Sequence, residues 1–120
     1  MMQKMKNMNL THFFLCLLIG LGTGTALAQN MGDAATGKAL FERKCAPCHA
    51  DAPARPGTQA LNIKYRNSEI PAPLEQRSDL SAAYIETVVR NGLFSMAPLR
   101  KTEVTDSELA DISAYLTQPD

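Results

Sequence analysis

The sequence predicts a small all-α domain, and three observations predict it. Apolar residues recur at helical spacing in three separate stretches. Each stretch carries its own start or stop signal. Strand-like alternation is confined to Leu61, Ile63 and Tyr65, where a very short strand is the alternative. The 120 residues suit one domain, and 12 basic side chains balance 12 acidic ones.

The first element is a leader. Residues 1–9 carry Lys4 and Lys6 and no acid, the run from Phe13 to Leu21 is apolar, and Ala26-Leu27-Ala28 has the small-x-small form of a signal-peptidase site. A signal peptide over 1–28 and a folded domain over 29–120 follow, with export to the periplasm. The apolar run is shorter than the about 20 residues of a membrane span, and an uncleaved anchor is the alternative. Cys16 follows Phe14-Leu15 rather than the small residue of a lipoprotein site, and leaves with the leader. Losing Lys4 and Lys6 leaves the remainder two units negative. That excludes nucleic acid as a partner, since its binding needs a basic surface.

The first helix spans Ala34 to Lys44, with Asp33 placed to accept the free amides of its first turn. Leu40 and Phe41 give it an apolar face, and Gly37 lies one turn before Phe41 on the same side. From Ala50 to Asp79 the prolines 53, 56, 71 and 73 predict little regular structure. A second helix runs from about Ser81 to Asn91, with Tyr84, Ile85, Val88 and Val89 on one stripe and Gly92 as its stop. The third begins at the capping box Thr105-Asp106-Ser107-Glu108, buries Leu109, Ile112, Tyr115 and Leu116, and ends before Pro119.

Directly after the first helix stands Cys45-Ala46-Pro47-Cys48-His49, and no other motif competes with it. Two cysteines three apart with histidine next are what covalent haem attachment takes: two thioethers, and an imidazole reaching the iron from the same turn. Two alternatives exist. A dithiol redox pair wants a strand ahead of the motif and a βαβ sheet behind it. A structural zinc site wants four ligands, and the domain offers two cysteines and one histidine.

With haem c attached and His49 as one axial ligand, the other is reached by elimination. The only other histidine, His12, lies in the leader. Met31 precedes the first helix, on the tail of the domain. Met96 follows Gly92 in a loop closed by Pro98 and is the candidate, against the plain alternative of a core methionine. Histidine and methionine together leave no open position on iron.

Taken in order, Gly37 and Phe41 on a helix, Cys45-Ala46-Pro47-Cys48-His49, Met96, and Leu109, Ile112 and Tyr115 on a last helix resemble the class I cytochromes c. The resemblance implies the small cytochrome c fold, with N- and C-terminal helices crossing and one further helix before the loop of the axial methionine. It implies that Gly37 permits the close approach and that Phe41 and Tyr115 pack there. It also implies a proline carbonyl accepting the Nδ1 proton of His49, with Pro73 the candidate and Pro71 the alternate. The stretch from Ala50 to Ile70 is longer than in minimal members, and Ala97 separates Met96 from Pro98.

A narrower resemblance runs through Asp79-Leu80, Ala83-Tyr84-Ile85, Val88-Val89-Arg90-Asn91-Gly92 and the last helix. It is similar to the cytochrome subunits of flavocytochromes that oxidise 4-alkylphenols, and implies a periplasmic flavoprotein dehydrogenase as partner. Arg90 then suits a haem propionate, which a guanidinium can pair bidentately. The alternative for Arg90 is a solvated charge favoured by the helix dipole. These residues imply an electron carrier rather than an enzyme. A freely diffusing cytochrome serving a terminal oxidase is the second expectation, and a haem enzyme or gas-binding protein, which needs Met96 off the iron, is the third. The near-zero charge balance favours a dedicated partner over a free carrier with a basic docking ring.

Overall fold

Local signals nucleate the helices, and one long-range crossing assembles them. The computed structural model describes residues 32–118. The expected signal peptide, His12, Met31 and Pro119 lie outside the described residues. Those described form α1 (Ala34–Lys44), α2 (Ala46–His49), α3 (Pro56–Tyr65), α4 (Ala82–Asn91) and α5 (Asp106–Leu116). A 3-10 turn spans Leu74–Gln76, and the one β-type pairing among the described residues is an isolated bridge of Leu93 with Met96.

The caps form as their residue types dictate. The Asp33 carboxylate accepts from the Thr36 amide at 2.6 Å, and the Ser81 hydroxyl from the Tyr84 amide at 3.2 Å. At α5 the box is reciprocal. Glu108 Oε2 accepts from the Thr105 amide at 2.9 Å, and Thr105 Oγ1 from the Glu108 amide at 3.2 Å. Val104, just before this cap, is 2% exposed and shares the buried cluster with Leu109, the pairing of a hydrophobic staple.

The first and last helices cross as the resemblance implied. A Cβ on Gly37 would lie 1.9 Å from the Asp111 carbonyl oxygen, so no side chain fits there. Phe41 is fully buried, its ring 5.7 Å from that of Tyr115 at a tilt of 53°. Leu40, Ile85, Ile112 and Leu116 complete the core around them. The Asp33 amide donates to Asp111 Oδ1 at 2.7 Å, and Lys44 Nζ donates to the Glu103 carbonyl at 2.7 Å and pairs with Glu108 at 3.0 Å. Both ends of α1 are thereby tied to α5 or its entry loop.

Two expectations are corrected. The stretch from Ala50 to Asp79 holds a ten-residue helix, α3, and Leu61, Ile63 and Tyr65 are helical rather than a strand. The physical reason is Pro56: at the first turn of a helix its missing amide is no loss and its fixed φ is already helical. On α4 the stripe is narrower than its spacing suggests. Ile85 is buried and Val89 packs on the core, whereas Tyr84 is 41% exposed.

Candidate functional site

The motif forms a single turn of helix set at the end of α1. Cys45 is the hinge between them: its amide donates to the Phe41 carbonyl, and its own carbonyl accepts from the Cys48 and His49 amides at 3.0 and 2.9 Å. Both thiols are free, with Cys48 exposed and Cys45 partly covered. Burial pushes the Cys45 thiol up to about 11, opposite to the lowered value that makes a redox cysteine reactive. Burial also holds the His49 imidazole below its ordinary range, which keeps it neutral as a ligand must be. No cluster of metal-binding side chains suited to zinc is present among the described residues.

Met96 sits in a four-residue turn, Leu93 to Met96, closed from both sides. The Leu93 amide donates to the Met96 carbonyl at 3.0 Å and the Met96 amide to the Leu93 carbonyl at 2.9 Å. Gly92 makes the turn feasible. Its φ is +75°, and a Cβ there would meet the Met96 carbonyl oxygen at 2.6 Å. The Leu99 amide returns to the Val89 carbonyl at 2.8 Å, anchoring the loop on α4. Phe94 turns outward, 88% exposed, with Lys64 of α3 5.3 Å from its ring centre.

The remaining candidates have partners inside the protein. Pro73 is buried, and its carbonyl accepts from the Gln76 amide at 3.2 Å to close the 3-10 turn. His49 Nδ1 is buried with no hydrogen-bond partner of any kind. Arg90 donates from Nη1 to the Leu99 carbonyl at 3.2 Å and from Nη2 to Asp106 at 2.9 Å, which couples α4 to α5. Its Nε is buried and still without an acceptor.

Sequence patterns gave no signal for several residues near the motif. Thr58 is 6% exposed, and its hydroxyl donates to the Ala50 carbonyl at 2.9 Å. Arg77 is buried, forked onto Asp79 at 2.8 and 2.5 Å, with its guanidinium 5.0 Å from the Tyr65 ring centre. Gln76 donates to Asp51 at 2.8 Å, joining the 3-10 turn to the residues just past the motif. A cavity of about 440 Å³ opens beside the end of α5, lined by Glu75, Arg77, Leu80 and Tyr115. Neither cysteine, His49 nor Met96 lines it, so it is separate from the motif.

The donor set fits haem c. Two free thiols stand three residues apart on one turn, followed by a neutral imidazole of which only Nδ1 is buried without a partner. A thioether lies in a loop held by its own hydrogen bonds. Fold and site together define a small haem-attaching electron-transfer domain. The family described as "Cytochrome C oxidase, cbb3-type, subunit III" matches residues 32–116. "Cytochrome c6" of Synechocystis sp. (strain ATCC 27184 / PCC 6803 / Kazusa) is 36% identical over 103 residues, covering 86% of this chain and 76% of that protein. No solved structure gives a significant match. The chain belongs to the c-type cytochrome family, as a single-haem electron carrier of class I with a redox protein as its partner. No helix among the described residues is long and apolar enough to cross a membrane.

Proposed function

We propose that Cys45 and Cys48 form the two thioethers to haem c, that His49 and Met96 are the axial ligands, and that the chain relays single electrons in the periplasm for a flavin-dependent dehydrogenase of the 4-alkylphenol type. One observation carries the site: free thiols and a neutral imidazole on a single helical turn, rigidly joined to α1. Bound haem c supplies a one-electron couple at an edge a partner can approach. His49 would supply the imidazole ligand to the iron. The turn closed by two backbone hydrogen bonds fixes the backbone at Met96, and its thioether as a sixth ligand would keep oxygen off the metal. Arg90 Nε, like Arg55 Nε, is a buried donor still to be satisfied, and it suits a propionate. The signal peptide over 1–28 is part of the same proposal.

The dehydrogenase partner is supported by the stretch from Asp79 to Gly92 and by the balanced charge. A second arrangement, electrons handed to a terminal oxidase, is favoured by the matching family, which is described as a subunit of a cbb3-type cytochrome c oxidase. The ferric protein is expected to show the far-red band of a methionine–iron bond, and Met96→Ala to lose it while keeping covalent haem. A wild type without that band overturns the six-coordinate site. Capture of a flavoprotein from periplasmic extract at physiological salt favours the first partner; oxidation of the reduced protein by, or turnover with, a terminal oxidase alone favours the second.

A further inference from the structure

The loop that carries Met96 does not support itself. Phe94 sits in it at φ +52°, left-handed backbone that a bulky side chain adopts only at a cost. Its ring is 88% exposed, so burial repays none of that cost. Such a conformation persists where its surroundings impose it. Here they do so at both ends of the loop. The Gly92 amide donates to the Val88 carbonyl and the Leu99 amide to the Val89 carbonyl, each at 2.8 Å. The chain thus leaves and rejoins the last turn of α4 at adjacent carbonyls. Arg90, in the same turn, takes the other half of Leu99: its Nη1 donates to the Leu99 carbonyl at 3.2 Å. Nη2 donates at 2.9 Å to Asp106, the first residue of α5, where the helix dipole favours a carboxylate. The Arg90 side chain is only 17% exposed, against 71% for Lys101, which holds the other oxygen of Asp106 at 2.6 Å.

We propose that Arg90 is a positioning residue for Met96: it clamps the Leu99 end of the loop to α4 and to the start of α5, and the clamp keeps the thioether from being displaced. The inference rests on Met96 being an axial ligand. A carrier needs the same two ligands in both oxidation states, and a soft thioether is a poor match for the harder ferric iron. What the metal does not hold, the loop must. The fraction of time the loop stands open sets how easily an outside ligand takes the place of the sulfur. Hydrogen bonds from a guanidinium close it more firmly than the backbone bonds alone. Nε takes no part in the clamp and stays available to a propionate.

The test uses the ferric holoprotein with Arg90→Met, Arg90→Lys and Asp106→Ala. Lys101→Ala is the control, since Lys101 shares Asp106 but makes no bond to Leu99. Imidazole titration measures displacement of the thioether, one iron–sulfur bond exchanged for one iron–nitrogen bond with no electron moved. Hydrogen exchange at the Met96 and Leu99 amides measures loop opening without reference to the iron, and urea unfolding measures the whole domain. Arg90→Met is expected to bind imidazole about tenfold tighter and to speed exchange at both amides about tenfold, beyond any change shared with the amides of α1 and α5. Asp106→Ala is expected to shift both readouts the same way by less, and Arg90→Lys, which keeps one donor, to recover part of the loss. Asp106→Ala leaves Arg90 in place and keeps the test open if Arg90→Met fails to hold haem. Variants that lose overall stability yet keep wild-type imidazole affinity and loop exchange, or that move no further than Lys101→Ala, overturn the proposal. A wild type without the far-red band overturns Met96 as ligand, and with it the positioning role, even where exchange still shows the clamp.

Discussion

The α1–α5 crossing and the segment from Ala50 to Leu80 are held by different forces. At the crossing, apolar side chains close on one another: Phe41 is fully buried and Ile112 is 2% exposed, with Gly37 letting the backbones meet. In the second region the buried groups include Thr58 and Arg77, and the ties are hydrogen bonds and an ion-pair fork. Apolar burial rewards any arrangement that removes area from water, whereas hydrogen bonds reward particular geometries. The crossing therefore makes the domain stable. The polar segment, gripping the motif from α3, makes the site specific.

Substitutions can break or sharpen that contrast. The largest effect is expected for Phe41→Ala, about 4 kcal/mol of lost stability by urea unfolding, because the void sits where neither helix can move inward. A loss below about 1 kcal/mol would mean the crossing is not the mechanical centre. Thr105→Ala removes half of the capping box at the entry to α5 and is expected to cost about 1 kcal/mol in the same measurement.

A pH series sharpens the same end of the crossing. The Thr105 amide, and then Lys44, hold the Glu108 carboxyl below its ordinary range. Its contribution is therefore present above the ordinary carboxylate range and is lost as pH falls through the lowered value. Between about pH 5 and pH 3 the wild type is expected to lose more stability than Glu108→Gln, and parallel curves would refute the assignment. The smallest effect belongs to the other region. Ile63→Ala on the exposed face of α3 is expected to change stability by about 0.5 kcal/mol or less, and a large loss would show that α3 has a core of its own.

What could be read in the sequence follows the same divide. Asp33, Ser81 and the Thr105–Glu108 box signal their helices through residues within three positions, so α1, α4 and α5 were legible to within a residue or so. Helix α3 was not. Its cap position is Arg55, which makes no side-chain capping bond, and Pro56 resembles a breaker unless the helix is known to begin there. The motif was legible because covalent chemistry demands its spacing. Gly57 and Thr58 beside it were not, since a small residue and a hydroxyl eight and nine positions beyond His49 acquire meaning only when α3 folds back onto the ring. The partners of Arg90 are equally distant: Leu99 and Asp106 lie 9 and 16 residues away.

The crossing also fixes an order of events. The Asp33 amide finds its acceptor 78 residues later, on the last helix to be made. A chain that emerges N-terminus first thus exposes Cys45 and Cys48 long before α5 exists to lock the helix that leads into them. Closure over so long a separation is slow compared with the forming of a single turn. The thiols have a window in which the domain is still open around them, and that window shuts when Leu116 arrives.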